Sequence, residues 1–257
     1  MSARSVFLLV ALLSVPMQVG FADERIDTWV AKARAAVGSE SALKAIHAVR
    51  FSGTVESMQK TPSKADPTKM EETRIRLAID SSFQKPYRQR IVLRSDNTIE
   101  TTTLDEYNGW IHRAEIGRES QAILTLLESS QIKRLRANTW EYLSYFRGIE
   151  ACGGRVDFQG EADVDGKNCV VLAFAHAPNI SFTRYFDKST GRLIKTVTEN
   201  GGEIREEGEI IVAGIRYPKV LINKSPDGQV ATITFDSIKV NEPLPDAEFD
   251  VPDAVMF

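Results

Sequence analysis

The chain has 257 residues, of which 42% are hydrophobic and 26% charged, with a formal net charge of −3. That composition supports a packed core and excludes a disordered chain. The near-balanced charge excludes the strongly basic face of a nucleic-acid binder, so no nucleic-acid partner is expected.

At the start of the chain Arg4 precedes the apolar run 6–15, Pro16 ends that run, and Gly20-Phe21-Ala22 supplies small residues before a cleavage point. The run is too short to span a bilayer comfortably. This pattern predicts a secretory signal peptide over residues 1–22, cut after Ala22, with a retained N-terminal anchor as the alternative. No Cys follows the run, which excludes the bacterial lipoprotein route.

Residues 23–49 carry helical spacing at Ile26, Trp29, Val30, Ala33 and Val37, then at Leu43 and Ile46. Gly38 ends one short helix and Ser39 caps a second. Residues 50–56 read as a strand and 59–68, with two prolines, as a loop. Residues 74–80 and 87–93 alternate as strands of one antiparallel sheet, the latter with Tyr87, Gln89, Ile91 and Leu93 on one face. Tyr107-Asn108-Gly109-Trp110 predicts a tight hairpin turn centred on Asn-Gly, with aromatics pairing across it.

Residues 128–147 return to helical spacing, with Ile132, Leu135, Trp140, Leu143 and Phe146 near one face, Ser129 or Ser130 as cap and Gly148 as stop. From residue 156 onward strands and turns alternate without helices, which argues for a meander. Within it, 181–197 is a hairpin hinged on 187–191, with Phe182, Arg184 and Phe186 on one face. Its second arm sets Leu193, Lys195 and Val197 against Ile194, Thr196 and Thr198.

No catalytic motif stands out. His47, His112 and His176 lie far apart with no paired metal spacing, and there is no GxSxG, phosphate loop or dinucleotide fingerprint. The expectation is a protein that is not an enzyme and needs no metal or cofactor. Cys152 and Cys169 are the only cysteines, and in an exported chain they are expected to form a disulfide staple, with two unpaired thiols as the alternative.

Five segments carry a resemblance: "AVGSESALKAIHAVRFSGTV" (36–55), "KPYRQRIVL" (85–93), "LDEYNGWIHR" (104–113), "YFDKSTGRLIKT" (185–196) and "ITFDSIKVNEPLPDAEFDVP" (233–252). In that order the chain resembles the LolA/LolB-like fold of bacterial periplasmic lipoprotein carriers, and the outer-membrane lipoprotein-sorting homologues in particular. The resemblance implies one mainly β (α+β) domain over 23–257. Its strongly curved antiparallel sheet would form an unclosed half-barrel, with the N-terminal and central helices covering the concave face.

The same resemblance implies a periplasmic monomer that holds a lipid or lipoprotein acyl chain in an apolar cavity. Tyr87, Ile91, Leu93, Trp140, Phe146, Leu172, Phe174, Phe182 and Phe186 would form the ligand-binding surface, with Arg184 snorkelling to the rim. A closed core is the competing reading for each of these residues. Where the carriers have an Arg that bonds helix carbonyls and holds the lid, this chain has Lys85, which lacks the planar fork. A non-enzymatic periplasmic sensor or interaction module, working with an envelope membrane-protein partner, is the alternative function on the same fold.

Overall fold

The computed structural model describes residues 24–62, 66 and 68–252. The expected signal peptide therefore lies outside the described residues. The chain runs α1 (Glu24–Val37), α2 (Glu40–Ala45), β1 (Ala48–Pro62), β2 (Met70–Gln84), β3 (Arg88–Arg94), β4 (Thr98–Asp105), β5 (Asn108–Glu115), β6 (Ile123–Leu126) and α3 (Ser129–Ser144). It continues β7 (Arg155–Val164), β8 (Lys167–Ala177), β9 (Ile180–Asp187), β10 (Leu193–Thr198), β11 (Glu203–Glu207), β12 (Ile210–Val212), β13 (Ile215–Tyr217), β14 (Val220–Lys224) and β15 (Val230–Val240).

Thirteen strands form one curved antiparallel sheet that does not close, in the order β6-β5-β4-β3-β2-β1-β15-β14-β11-β10-β9-β8-β7. Nearly every neighbour is joined by a hairpin, so the chain pairs locally. The connection from β6 to β7 is different, because those two strands are the opposite edges of the sheet. The chain must cross the whole face between them, and α3 is what crosses it. Sixteen residues of helix span roughly 24 Å. β12 and β13 leave the sheet as a separate two-stranded ribbon.

The helices bury their apolar stripes in two clusters on this face. Leu43 and Ile46 at α2, with Leu143 and Tyr145 at the end of α3, pack on Phe51, Phe83, Leu221 and Phe235 of the central strands. Val30 and Ala33 of α1, with Trp140 of α3, pack on Val170, Leu172, Phe174 and Phe186 of β8 and β9.

Several local expectations need correction. Residues 59–62 continue β1, paired with 70–73 of β2, in a two-stranded extension where Gln59, Lys60 and residues 70–73 are exposed, so polar residues are accommodated in the strand. The β4–β5 turn falls at Glu106-Tyr107, with Glu106 at φ 53°, two residues before the Asn-Gly pair. Gly109 belongs to β5, where a Cβ would meet the Leu127 side chain at 2.8 Å. Tyr107 is exposed and Trp110 buried, so they do not pair. The cap of α3 is Glu128, in a reciprocal capping box with Gln131, rather than a serine. On β10 a register shift between Leu193 and Lys195 turns both Leu193 and Thr196 to the inner face.

The disulfide expectation also fails. Both cysteines are free, Cys152 exposed and Cys169 buried. In the β7–β8 ladder Cys169 pairs with Ala162, while Arg155, three residues past Cys152, pairs with Ala175. The two thiols therefore sit at opposite ends of the hairpin, roughly 20 Å apart at ~3.4 Å per residue, far beyond the ~7 Å that a disulfide bridges.

Candidate functional site: a cavity between sheet and helices

At the seam of the two clusters lies a cavity of about 430 Å³. Phe51, Phe83, Ile91, Ile204, Leu221 and Phe235 form its floor on the sheet, and Ala33, Val37, Tyr142, Tyr145 and Phe146 its roof on the helices. The volume is within the ~300–1,000 Å³ of ordinary ligand sites. Tyr142 stacks on Phe83 with ring centroids 4.1 Å apart and tilts against Phe51. Burial pushes its hydroxyl up to about 12, so it stays neutral. The exposed Arg192, Gly208 and Glu209 mark the mouth, where Glu209 pairs with Arg192 at 3.3 Å and with Arg216 at 2.9 Å.

The roof is held by a residue that the sequence reading passed over. Arg34 of α1 is buried, and its Nη1 donates to the carbonyls of Ser144 at 2.8 Å and Tyr145 at 2.7 Å. Its Nε and Nη2 donate to Glu40 at 2.6 and 3.0 Å. One guanidinium thus ties α1, α2 and the end of α3 together, a use of its planar fork. The chain at that end is strained, since Tyr145 and Phe146 take φ of 49° and 72°. The strain turns Tyr145 onto Tyr217, with hydroxyls 2.8 Å apart, and Phe146 into the cavity. A lone Arg on the stripe Val30, Ala33 and Val37 was the available signal. Lys85 Nζ separately donates to the Ile46 carbonyl at 2.6 Å, where α2 ends.

Of the nine residues expected to bind a ligand, Ile91, Phe146 and Phe182 line the cavity. Trp140, Leu172, Phe174 and Phe186 fill the closed cluster beneath α1. Leu93 is half-buried, one inward position beyond Ile91 and outside the cavity. Tyr87 sits at the sheet rim, where its hydroxyl bonds Cys152 Sγ at 2.7 Å and the Arg136 guanidinium lies 3.8 Å over its ring.

Arg184 is a further correction. It is 5% exposed rather than at the rim, because Glu141 of α3 meets it inside. Its Nη2 donates to Glu141 Oε2, and its guanidinium lies 4.6 Å over Phe174 and 5.0 Å over Phe146. The other Glu141 oxygen is 2.6 Å from His176 Nε2. Burial, helped by the nearby Arg134 cation, holds His176 down to about 4, so the neutral ring donates to Glu141. A purely apolar inner face gave no reason to expect this buried polar cluster.

No protein-family model matches the sequence, and no curated protein does. Solved structures match over most of the chain. A protein of the DUF1329 family from Desulfovibrio piger aligns over 88% of this chain and 97% of its own, with a TM-score of 0.57 and 11% identity. A LolA superfamily protein from Nitrosomonas europaea covers the same shares at TM-score 0.57 and 12% identity. A Vibrio parahaemolyticus domain described as an outer membrane lipoprotein-sorting protein covers 88% and 97% at TM-score 0.55 and 9% identity. At such identities the likeness is one of fold: this chain has the LolA-like architecture, an open curved antiparallel sheet with helices across its hollow face.

Proposed function

We propose that the protein is an exported, periplasmic carrier or binding protein that shields an acyl chain of a lipid or lipoprotein between its sheet and helices. The observation that supports this most is the 430 Å³ cavity, floored by Phe51, Phe83, Ile91 and Phe235 and roofed by helices that meet the sheet mainly through side chains. Each methylene buried there contributes about 0.8 kcal/mol without any directional contact. The fold shared with a lipoprotein-sorting domain supports the same reading. No chemistry beyond binding is assigned to the site. Among the described residues no cluster of three or more metal-ligating side chains occurs, and no helix is long and apolar enough to cross a membrane.

The test is to purify the protein under native conditions from the compartment in which it accumulates, then extract and identify bound lipid by mass spectrometry. Titration with a fluorescent acyl probe follows on delipidated protein. Co-purifying acyl lipid and saturable probe binding at one site per chain are expected. Protein that carries no lipid and binds no probe would end the carrier reading and leave an interaction module on the same fold. N-terminal sequencing of the same material should begin at Asp23.

A further inference from the structure

The polar groups on the cavity wall are out of balance. Arg184 Nε and Nη1 have no hydrogen-bond partner, although the residue is 5% exposed and lines the cavity. Gln89 Nε2, on a fully buried residue that lines the same cavity, has none either. Its amide oxygen, by contrast, is within 3.4 Å of the Thr139 hydroxyl. All three orphans are donors. Interior donors are ordinarily satisfied, and an unmet charged one is the costliest to leave. The missing part is an acceptor.

We infer that the cavity takes its ligand head-first, and that the head is the carboxylate of a free long-chain fatty acid, accepting from Arg184 and Gln89 while its chain lies along Phe51, Phe83 and Tyr142. This rests on the acyl-binding reading and narrows it. An acyl chain in ester or amide linkage to a protein would enter tail-first and leave these donors unmet. A carboxylate is acceptor-only, and charge-assisted bonds to guanidinium are the strong kind.

The charge balance is local. Glu141 from α3 already offsets Arg184, so the incoming carboxylate needs a neutral neighbour on the remaining wall. Glu206 from β11 supplies it: it lines the cavity on the side of the exposed mouth residues Gly208 and Glu209, and makes no ion pair among the described residues. Burial pushes its carboxyl up to about 7, against the opposing pull of Arg184. When protonated it can donate to the ligand. The other ionisable groups facing the cavity are Tyr142, Tyr145 and Tyr217, all pushed upward by burial and so neutral, and Arg216 with the Arg192–Glu209 pair at the mouth. His176 lies behind Glu141.

The experiment compares palmitate with methyl palmitate and hexadecanol, each below its aggregation limit, on the delipidated mature chain at pH 6.5 and pH 8. Palmitate is expected to bind at least 10-fold tighter than either uncharged analogue at pH 6.5, and to lose most of that margin at pH 8 as Glu206 ionises. Glu206→Gln should keep the margin at both pH values. The paired variant Arg184→Gln/Glu141→Gln, which leaves no unpaired charge behind, should abolish it while still binding the alcohol. Equal binding of all three ligands to the unmodified protein would overturn the head-first inference and leave the carrier reading standing. If none of the three binds, the carrier reading itself falls.

Discussion

Arg34 shows how much one buried side chain can organise. Its guanidinium meets two carbonyls at a helix end, those of Tyr145 and of Ser144, the latter also accepting from the Arg147 N–H, and it holds the left-handed turn at Tyr145 and Phe146. Arg34→Ala should lower stability by about 2–3 kcal/mol, read as a fall in thermal midpoint, because those buried acceptors lose a charged donor. Arg34→Lys should recover only part of it, having no fork. Two other groups shape stability against pH in opposite directions. Glu206 titrates at about 7 when folded against 4.5 as its reference, so the native state holds more protons between those values and stability falls as pH rises through that window. His176 titrates at about 4 against 6.5, so the unfolded state holds more protons there and stability is lost as pH falls through that window. The two slopes oppose each other between pH 4.5 and 6.5. Glu206→Gln should therefore expose a stability that rises with pH there, and His176→Gln one that falls, each followed by denaturant midpoints at a series of pH values. Two flat variants would show that neither group carries the linkage.

At the level of elements, the inner face divides by position along the sheet. β8 and the Phe186 end of β9 under α1 are packed shut, whereas inward positions of β2, β3 and β11, with Phe182 and Arg184 of β9, open on the cavity. Three substitutions separate these cases. Phe174→Glu puts a charge into a fully buried site and should cost more than about 4 kcal/mol, enough to unfold the domain. Ile91→Glu borders the cavity, and should cost about 1–2 kcal/mol yet weaken acyl-probe binding at least 10-fold. Leu93→Glu, one inward position further along β3, should leave both melting and probe binding nearly unchanged. Melting and probe titration on the same samples check all three. The β7–β8 hairpin likewise decides the cysteine chemistry, since its register holds Cys152 and Cys169 at opposite ends. Thiol titration should find two thiols per chain in denaturant without reductant, and one, Cys152, reacting promptly in the folded protein.

Across the whole molecule, the sheet is built almost entirely from hairpins, and α3 is the one element that bridges its two edges. The sheet should therefore exchange its amides slowly as a unit. The helices, tied to one another by Arg34 and joined to the strands by side-chain packing and by Lys32, Lys85 and Arg216, should open first. Hydrogen exchange followed by mass spectrometry should find α1 and α3 exchanging ahead of β1, β2 and β15, and slower exchange of both helices with a bound acyl ligand.

The amino-acid sequence by itself determined the mainly β class, the two N-terminal helices broken at Gly38-Ser39, the central amphipathic helix and the alternation of β9. Those features depend on periodicities of 3.6 and 2 and on capping residues, all local in the chain. It also carried a resemblance to the LolA-like fold, and the solved structures share that fold. What it could not decide was which inward-facing residues meet one another across the sheet. Phe174 and Ile91 read alike as alternating apolar positions, and only the crossing of α3 makes one a core residue and the other a cavity wall. Arg184 and Glu141 are 43 residues apart, and Arg184 and Glu206 come from strands separated by β10. A charge placed inward by strand alternation looks like a rim residue until the partner that pairs with it, or the space that leaves it unpaired, is brought to it by the fold.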